Sequence, residues 1–205
     1  RLSRPRARGD EKMAPVTQAL LLANIAVYVL EMAGILSLGA LALWPPGGFD
    51  SRFEPWQLVT YAFLHGSLAH IFFNMLGLYM FGSEVERLFG SRFYAAYYFG
   101  CVVSAALCHL VVTGWVGGPA YPTVGASGGV YGLLLAFGVY FPHRQVLLLF
   151  PPVPLPARMF VLLFAVLELV FGVTGTQAGV AHFAHLGGMI GGWLMIQYRR
   201  GALRR

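Results

Sequence analysis

The chain has 205 residues, 58% of them hydrophobic and 11% charged, with a mean hydropathy of +0.67 and a formal net charge of +6. A soluble domain carries about 25% charged residues, so this composition excludes an ordinary soluble globular fold. Long apolar runs broken by short polar segments predict an all-α, polytopic membrane protein, and 205 residues nearly filled by such runs leave no room for a separate soluble domain.

Six spans are expected, near residues 16–38, 68–87, 93–115, 125–141, 156–173 and 180–198, each close to the ~20 residues that cross a hydrocarbon core. The division is a basic tail (1–15), a six-helix transmembrane domain (16–198) and a second basic tail (199–205). The first apolar run is long and lacks a small-residue cleavage pattern, so it reads as a span rather than a removed signal. Segment 39–67 holds Pro45-Pro46-Gly47-Gly48, Asp50, Arg52 and Glu54 ahead of the apolar Leu58–Leu64, and reads as a long loop partly buried at the membrane surface. The second span opens with His70 and Asn74 in its first turns. His65, five residues before His70, faces elsewhere and reads as structural. Cys101 and Cys108 on the third span lie seven apart, about 10 Å along the axis, beyond disulfide reach; both read as packing residues. The fourth span opens on Gly125-Ala126-Ser127-Gly128-Gly129, and the sixth carries Ala184-His185-Leu186-Gly187-Gly188. His109 and His143 read as interfacial residues, and Glu31 and Glu168, inside spans one and five, as hydrogen-bonded packing groups.

Charge fixes the orientation. Arg1, Arg4, Arg6, Arg8 and Lys12 precede the first span, and Arg199, Arg200, Arg204 and Arg205 follow the last. Basic flanks mark the cytoplasmic side, so both termini are expected there, which demands an even number of crossings. Arg87, Arg92, Arg144 and Arg158 fall in inward loops on this scheme, and only Arg52 in an outward one. The net positive charge therefore reports topology and contact with anionic lipid rather than nucleic-acid binding.

This topology brings chemistry together. The second, fourth and sixth spans all start outside, so His70, Asn74, Ser127 and His185 lie near one depth, His185 roughly 8 Å in. A hydroxyl and imidazoles inside a bilayer are costly and point to function. Gly125 and Gly129, Gly128 and Gly132, Gly187 and Gly191, and Gly188 and Gly192 repeat at intervals of four, a spacing that lets helix backbones approach closely in lipid. Helices four and six look built to bring Ser127 to His185, within the ~3 Å that proton transfer requires. No acidic residue lies near either motif along the chain, which predicts a Ser–His dyad rather than a triad. The backbone N–H of Ser127 at a helix N-terminus, with His70 and Asn74 four apart on one face, would supply donors to an oxyanion. His182, three before His185, is its neighbour; the following Gly-Gly assigns the role of base to His185.

These motifs, His70-x-x-x-Asn74, Gly125-x-Ser127-Gly128 and Ala184-His185-x-Gly187-Gly188, resemble those of the rhomboid intramembrane serine proteases, in order and on the right spans, from about Trp56 to Trp193. The resemblance implies a minimal six-span bacterial-type rhomboid bundle in an inner membrane. It implies Ser127 as nucleophile, His185 as general base, and His70, Asn74 and the Ser127 amide in the oxyanion hole. It further implies Tyr131 stacked on the catalytic histidine, Gly125 and Ala126 facing substrate, Gly128 and Gly188 in support, and Glu86 bracing the turn after the second span. Trp56-Gln57 stands where many members have Trp-Arg, so that loop is expected to be tied down differently.

The expected partners are transmembrane protein substrates and the lipid bilayer, with no nucleic acid and no cofactor or metal. Substrates would enter laterally past the fifth span and the glycine-rich 172–179 loop, Phe171 and Phe183 forming part of the seal. An inactive relative that only binds membrane substrates, and a histidine-based heme or metal carrier, are the competing readings.

Overall fold

The computed structural model describes residues 12–45, 52–116, 122–148, 151–176 and 181–203. Arg1, Arg4, Arg6, Arg8, Pro46–Asp50, Gly179, Val180, Arg204 and Arg205 lie outside the described residues. Among the described residues six long helices form the bundle: α1 (Pro15–Met32), α2 (Leu68–Phe89), α3 (Ser91–Val116), α4 (Ser127–Tyr140), α5 (Ala157–Thr174) and α6 (His182–Ala202). Among the described residues α1, α3 and α5 are long and apolar enough to cross a membrane by length and composition alone. α2 and α6 have the length, 22 and 21 residues, but carry more polar groups; α4 has only 14 residues. The chain is thus an all-α polytopic membrane fold. Its outer faces bear Leu22, Ile25 and Val29 on α1, Leu162, Val166 and Val173 on α5, and Ile190 and Trp193 on α6, all exposed. Apolar surface on this scale on several helices is what contact with lipid requires.

α4 is the enclosed helix, with nine of its 14 residues buried, so its polar N-terminus faces protein rather than lipid. Tight packing follows from its glycines. A Cβ on Gly188 of α6 would stand 2.0 Å from the Gly128 carbonyl oxygen of α4, and one on Gly128 would stand 2.4 Å from the Ala105 methyl of α3. The glycine ladders divide their work between two neighbours rather than serving α4 and α6 alone. Gly187 and Gly191 meet Cys108 and Ser104 of α3, and Gly129 meets Tyr98 of α3. Buried hydroxyls stitch the same contacts: Tyr97 donates to the Gly132 carbonyl (2.7 Å) and Ser104 to the Gly187 carbonyl (2.8 Å). Cys101 and Cys108 are both free thiols, Cys101 packed against Gly132.

The first span is shorter than its apolar composition suggests. It stops at Met32 rather than near 38, because the chain turns through Gly34 at φ 71, a left-handed conformation that side chains rarely adopt. The second difference is a short antiparallel hairpin between α4 and α5, pairing Gln145–Leu147 with Pro154–Pro156. The described residues of segment 39–67 (39–45 and 52–67) form a folded loop. It contains short helical turns at Leu38–Leu41, Gln57–Thr60 and Tyr61–Phe63, buries Leu43, Tyr61 and Leu64, and bridges Leu43 to Thr123. Gln57 ties it down from within, accepting from the Trp44 amide (3.2 Å) and donating to the Arg52 carbonyl (2.8 Å). Trp56 donates its ring N–H to the Ala40 carbonyl (3.0 Å).

The end of the bundle away from Ser127 carries the basic groups. Arg144 pairs with Glu84 (2.6 Å), Arg87 donates to the Lys12 carbonyl (2.8 Å), and Arg199 stacks on Phe89 and Phe93. At this end Glu86 replaces the side-chain cap that α1 lacks. Its carboxylate accepts from the Val16 and Thr17 amides (3.0 and 2.8 Å), from the Thr17 hydroxyl (2.8 Å), and from Ser91 at the start of α3 (2.7 Å). An anion on the first free N–H groups of a helix satisfies donors that nothing else reaches. Glu86→Gln turns one acceptor toward those donors into an N–H₂ group, and is expected to lower stability by about 2 kcal/mol, read as an earlier thermal transition of the purified chain in detergent. An unaltered transition temperature would contradict this reading of Glu86.

Candidate active site

Three helix starts converge at the other end. α2 is opened by Ser67, whose hydroxyl accepts from the His70 amide (3.1 Å), and this fixes the first turn that carries His70 and, one turn on, Asn74. α4 begins at Ser127. The loop before it is held by Gly125, whose amide donates to the Tyr61 carbonyl (2.9 Å) and whose φ of 126 only glycine tolerates well. A Cβ at Gly125 would stand 2.6 Å from His70 Nε2 and 3.5 Å from Asn74 Nδ2, so both side chains lie against the loop leading to Ser127. α6 supplies His185, whose backbone is brought down onto α4 by the Gly128–Gly188 contact.

His185 Nε2 lies 2.8 Å from Ser127 Oγ, a hydrogen bond between helices 58 residues apart in sequence. The His185 ring lies flat on Tyr131, centroids 4.3 Å apart at 4°, which fixes the imidazole plane. Asn74 Nδ2 is buried and makes no hydrogen bond within the described residues. It is thus a free donor beside the Ser127 loop. A cavity of about 1020 Å³ opens on Ser127, His185, His70 and Asn74, and continues between α2 (Phe73, Met80) and α5 (Phe160, Phe164). The structure therefore brings together Ser127, His185, Tyr131, His70, Asn74, Gly125, Gly128 and Gly188.

The remaining histidines have other surroundings. His182 does not reach Ser127; its ring stands edge-on to His185 at 6.4 Å. The His65 backbone amide donates to Glu31 (3.2 Å), the packing role expected of both. Burial, with His70 beside it as a smaller cause, pushes the His65 imidazole down to about 4, so it stays neutral next to the site. His109 bonds Thr123 (2.7 Å) and lines the cavity, and His143 is exposed.

The expectation that no acid approaches the motifs is corrected here. Glu168 of α5 is 7% exposed and sits among them. Its Oε1 accepts from the Tyr131 hydroxyl, and its Oε2 lies 2.6 Å from His182 Nδ1 and 2.9 Å from His185 Nδ1. The last contact is close but lies off the line of a hydrogen bond, leaving His185 Nδ1 buried without an aligned acceptor. Neither motif pointed to it, since Glu168 is 41 residues from Ser127 in sequence. The available signals were the acid inside an apolar span, functional by default, and a histidine one turn before His185. Glu168, His182 and His185 bring ligand atoms within 4.8 Å of one another. Contacts of 2.6 and 2.9 Å are shorter than the roughly 3.3 Å that separates ligands on a tetrahedral zinc with bonds of about 2.0 Å, and the 2.6 Å one to His182 is a direct hydrogen bond.

Together, a lipid-facing helix bundle and a serine–imidazole pair held inside it define a polytopic membrane protein with a serine–histidine centre. A family profile described as the Rhomboid domain matches residues 52–201. The chain is 30% identical over 191 residues to the rhomboid protease GlpG of Pectobacterium atrosepticum, covering 90% of this chain and 63% of that protein. It is 30% identical over 141 residues to the rhomboid protease GluP of Bacillus subtilis, covering 68% of this chain and 25% of that one, and 32% identical over 131 residues to GlpG of Salmonella paratyphi A (60% and 43%). The chain belongs to the rhomboid family. It spans between a quarter and just under two thirds of the length of these relatives.

Proposed function

We propose that the chain is an intramembrane serine protease that hydrolyses peptide bonds of transmembrane substrates near the outer membrane face, in a bacterial inner membrane with both termini cytoplasmic. The observation that carries this is the 2.8 Å contact between Ser127 Oγ and His185 Nε2 at the mouth of a cavity. Serine is a weak nucleophile until a base takes its proton. His185 Nε2 accepts that proton as Oγ attacks the scissile carbonyl carbon. The carbonyl oxygen becomes an oxyanion, met by the Ser127 N–H, Asn74 Nδ2 and His70, donors already in place before charge develops. The C–N bond then breaks as His185 returns the proton to the leaving amine, and a water molecule activated by the same imidazole releases the acyl group. Tyr131 keeps the ring from rotating out of line. The crevice between α2 and α5 supports lateral entry of an unwound substrate segment, with the bundle of 16–198 as the working unit.

The test uses the full chain, purified in detergent, with a fluorescently labelled transmembrane substrate and a serine-directed fluorophosphonate. Cleavage is expected together with covalent labelling at Ser127, both absent from Ser127→Ala. An intact substrate beside an unlabelled chain would leave the family's binding-only form as the better description.

A further inference from the structure

For His185 to take the Ser127 proton, the hydroxyl must donate to Nε2 across the 2.8 Å contact, which requires that nitrogen to be unprotonated and the ring proton to sit on Nδ1. Nδ1 has Glu168 Oε2 at 2.9 Å and no other partner within the described residues. When Ser127 gives up its proton, the ring becomes an imidazolium between the Tyr131 face and this carboxylate. A buried cation requires a counter-charge, and Glu168 is the acid in contact with it.

We propose that Glu168 is a positioning residue that makes the site a Ser127–His185–Glu168 arrangement, selecting the His185 tautomer and stabilising its charged form. This rests on the protease reading above. His182 is what holds the carboxylate there. Its Nε2 faces the Thr176 carbonyl at 3.0 Å, which can only accept, so Nε2 carries a proton. Its Nδ1 lies 2.6 Å from Glu168 Oε2. The Tyr131 hydroxyl fixes the other oxygen. α5 is thereby joined to α4 and α6 through one carboxylate, and opening of α5 to admit substrate would move Glu168 with it. The off-line approach to Nδ1 leaves this contact an ionic one, which strengthens as the imidazole takes up charge.

The groups that bear on His185 are Tyr131 from α4, Glu168 from α5, His182 from α6, and His70 and His109, which line its cavity from α2 and α3. The test is ¹⁵N-histidine NMR of the full chain in detergent across pH, run beside steady-state cleavage. In Glu168→Gln the His185 titration midpoint and the acid limb of kcat/KM are both expected to fall by about one pH unit, with kcat down roughly 10- to 100-fold and KM little changed. In His182→Gln, which removes the tether that holds the carboxylate against His185, the midpoint is expected to fall as well, by less than in Glu168→Gln. A His185 midpoint that stays put in both variants overturns the proposal, even if kcat falls, because a purely structural role lowers activity without moving the titration. The NMR readout stands if the chain cleaves nothing, so failure of the protease reading is seen separately in the cleavage arm. If Glu168→Gln does not fold, the His182→Gln midpoint decides alone.

Discussion

His185→Ala is expected to lower kcat/KM on a transmembrane substrate by about 10⁴-fold or more, and Ser127→Ala by a similar factor. The double variant should be no worse than either single. The two groups act through one 2.8 Å contact, and removing either end of it removes the whole device. What remains is the proposed oxyanion site of His70, Asn74 and the Ser127 amide, which does not depend on the dyad. Progress curves for the three variants in the same detergent check this. Effects that multiply in the double variant would show that the two residues contribute independently, and would remove the contact from the mechanism.

The second large effect concerns packing. Gly188→Ala should gain up to ~1 kcal/mol of intrinsic helix propensity, yet the added methyl would lie 2.0 Å from the Gly128 carbonyl oxygen. That oxygen is backbone, so no side-chain rotation relieves the clash and α4 must part from α6. Overpacking costs about 1–3 kcal/mol, so against that gain the expected net loss is about 2 kcal/mol. Ser127 should also separate from His185, with activity falling more steeply than stability. Gly114→Ala is the control: nothing lies within 4 Å of a Cβ there, and the same propensity gain is unopposed. Thermal unfolding in detergent separates the two; equal transition temperatures would refute the role assigned to Gly188.

Much of the site was readable in the chain because membrane chemistry makes polar groups conspicuous. His70, Asn74, Ser127 and His185 stand out among apolar neighbours, and topology placed them at one end of the bundle before any coordinates. The glycine periodicity predicted close approach, though not that Gly187 and Gly191 would serve α3. Glu168 was read as packing for a physical reason. α5 is apolar nearly all round, so its sequence does not say which face turns inward. Only the fold sets the rotation that aims one carboxylate at Tyr131, His182 and His185. The early stop of α1 was hidden similarly, because residues 33–38 are apolar enough to extend a span and Gly34 ends the helix by conformation, not polarity. The hairpin at 145–156 is too short to show an alternating pattern of its own.

The brevity of α4 has a consequence for which bonds can be cut. Fourteen residues rise about 21 Å, against roughly 30 Å of hydrocarbon. On the proposed protease reading, a helix of this length set at the basic end of the bundle would stop about 9 Å short of the far boundary, with Ser127 at the bottom of that shortfall. The missing turns act as a depth gauge. A peptide bond in bulk water would then stand too high and one at the bilayer midplane too low, so on that reading position along the membrane normal would select the scissile bond before any side chain is read.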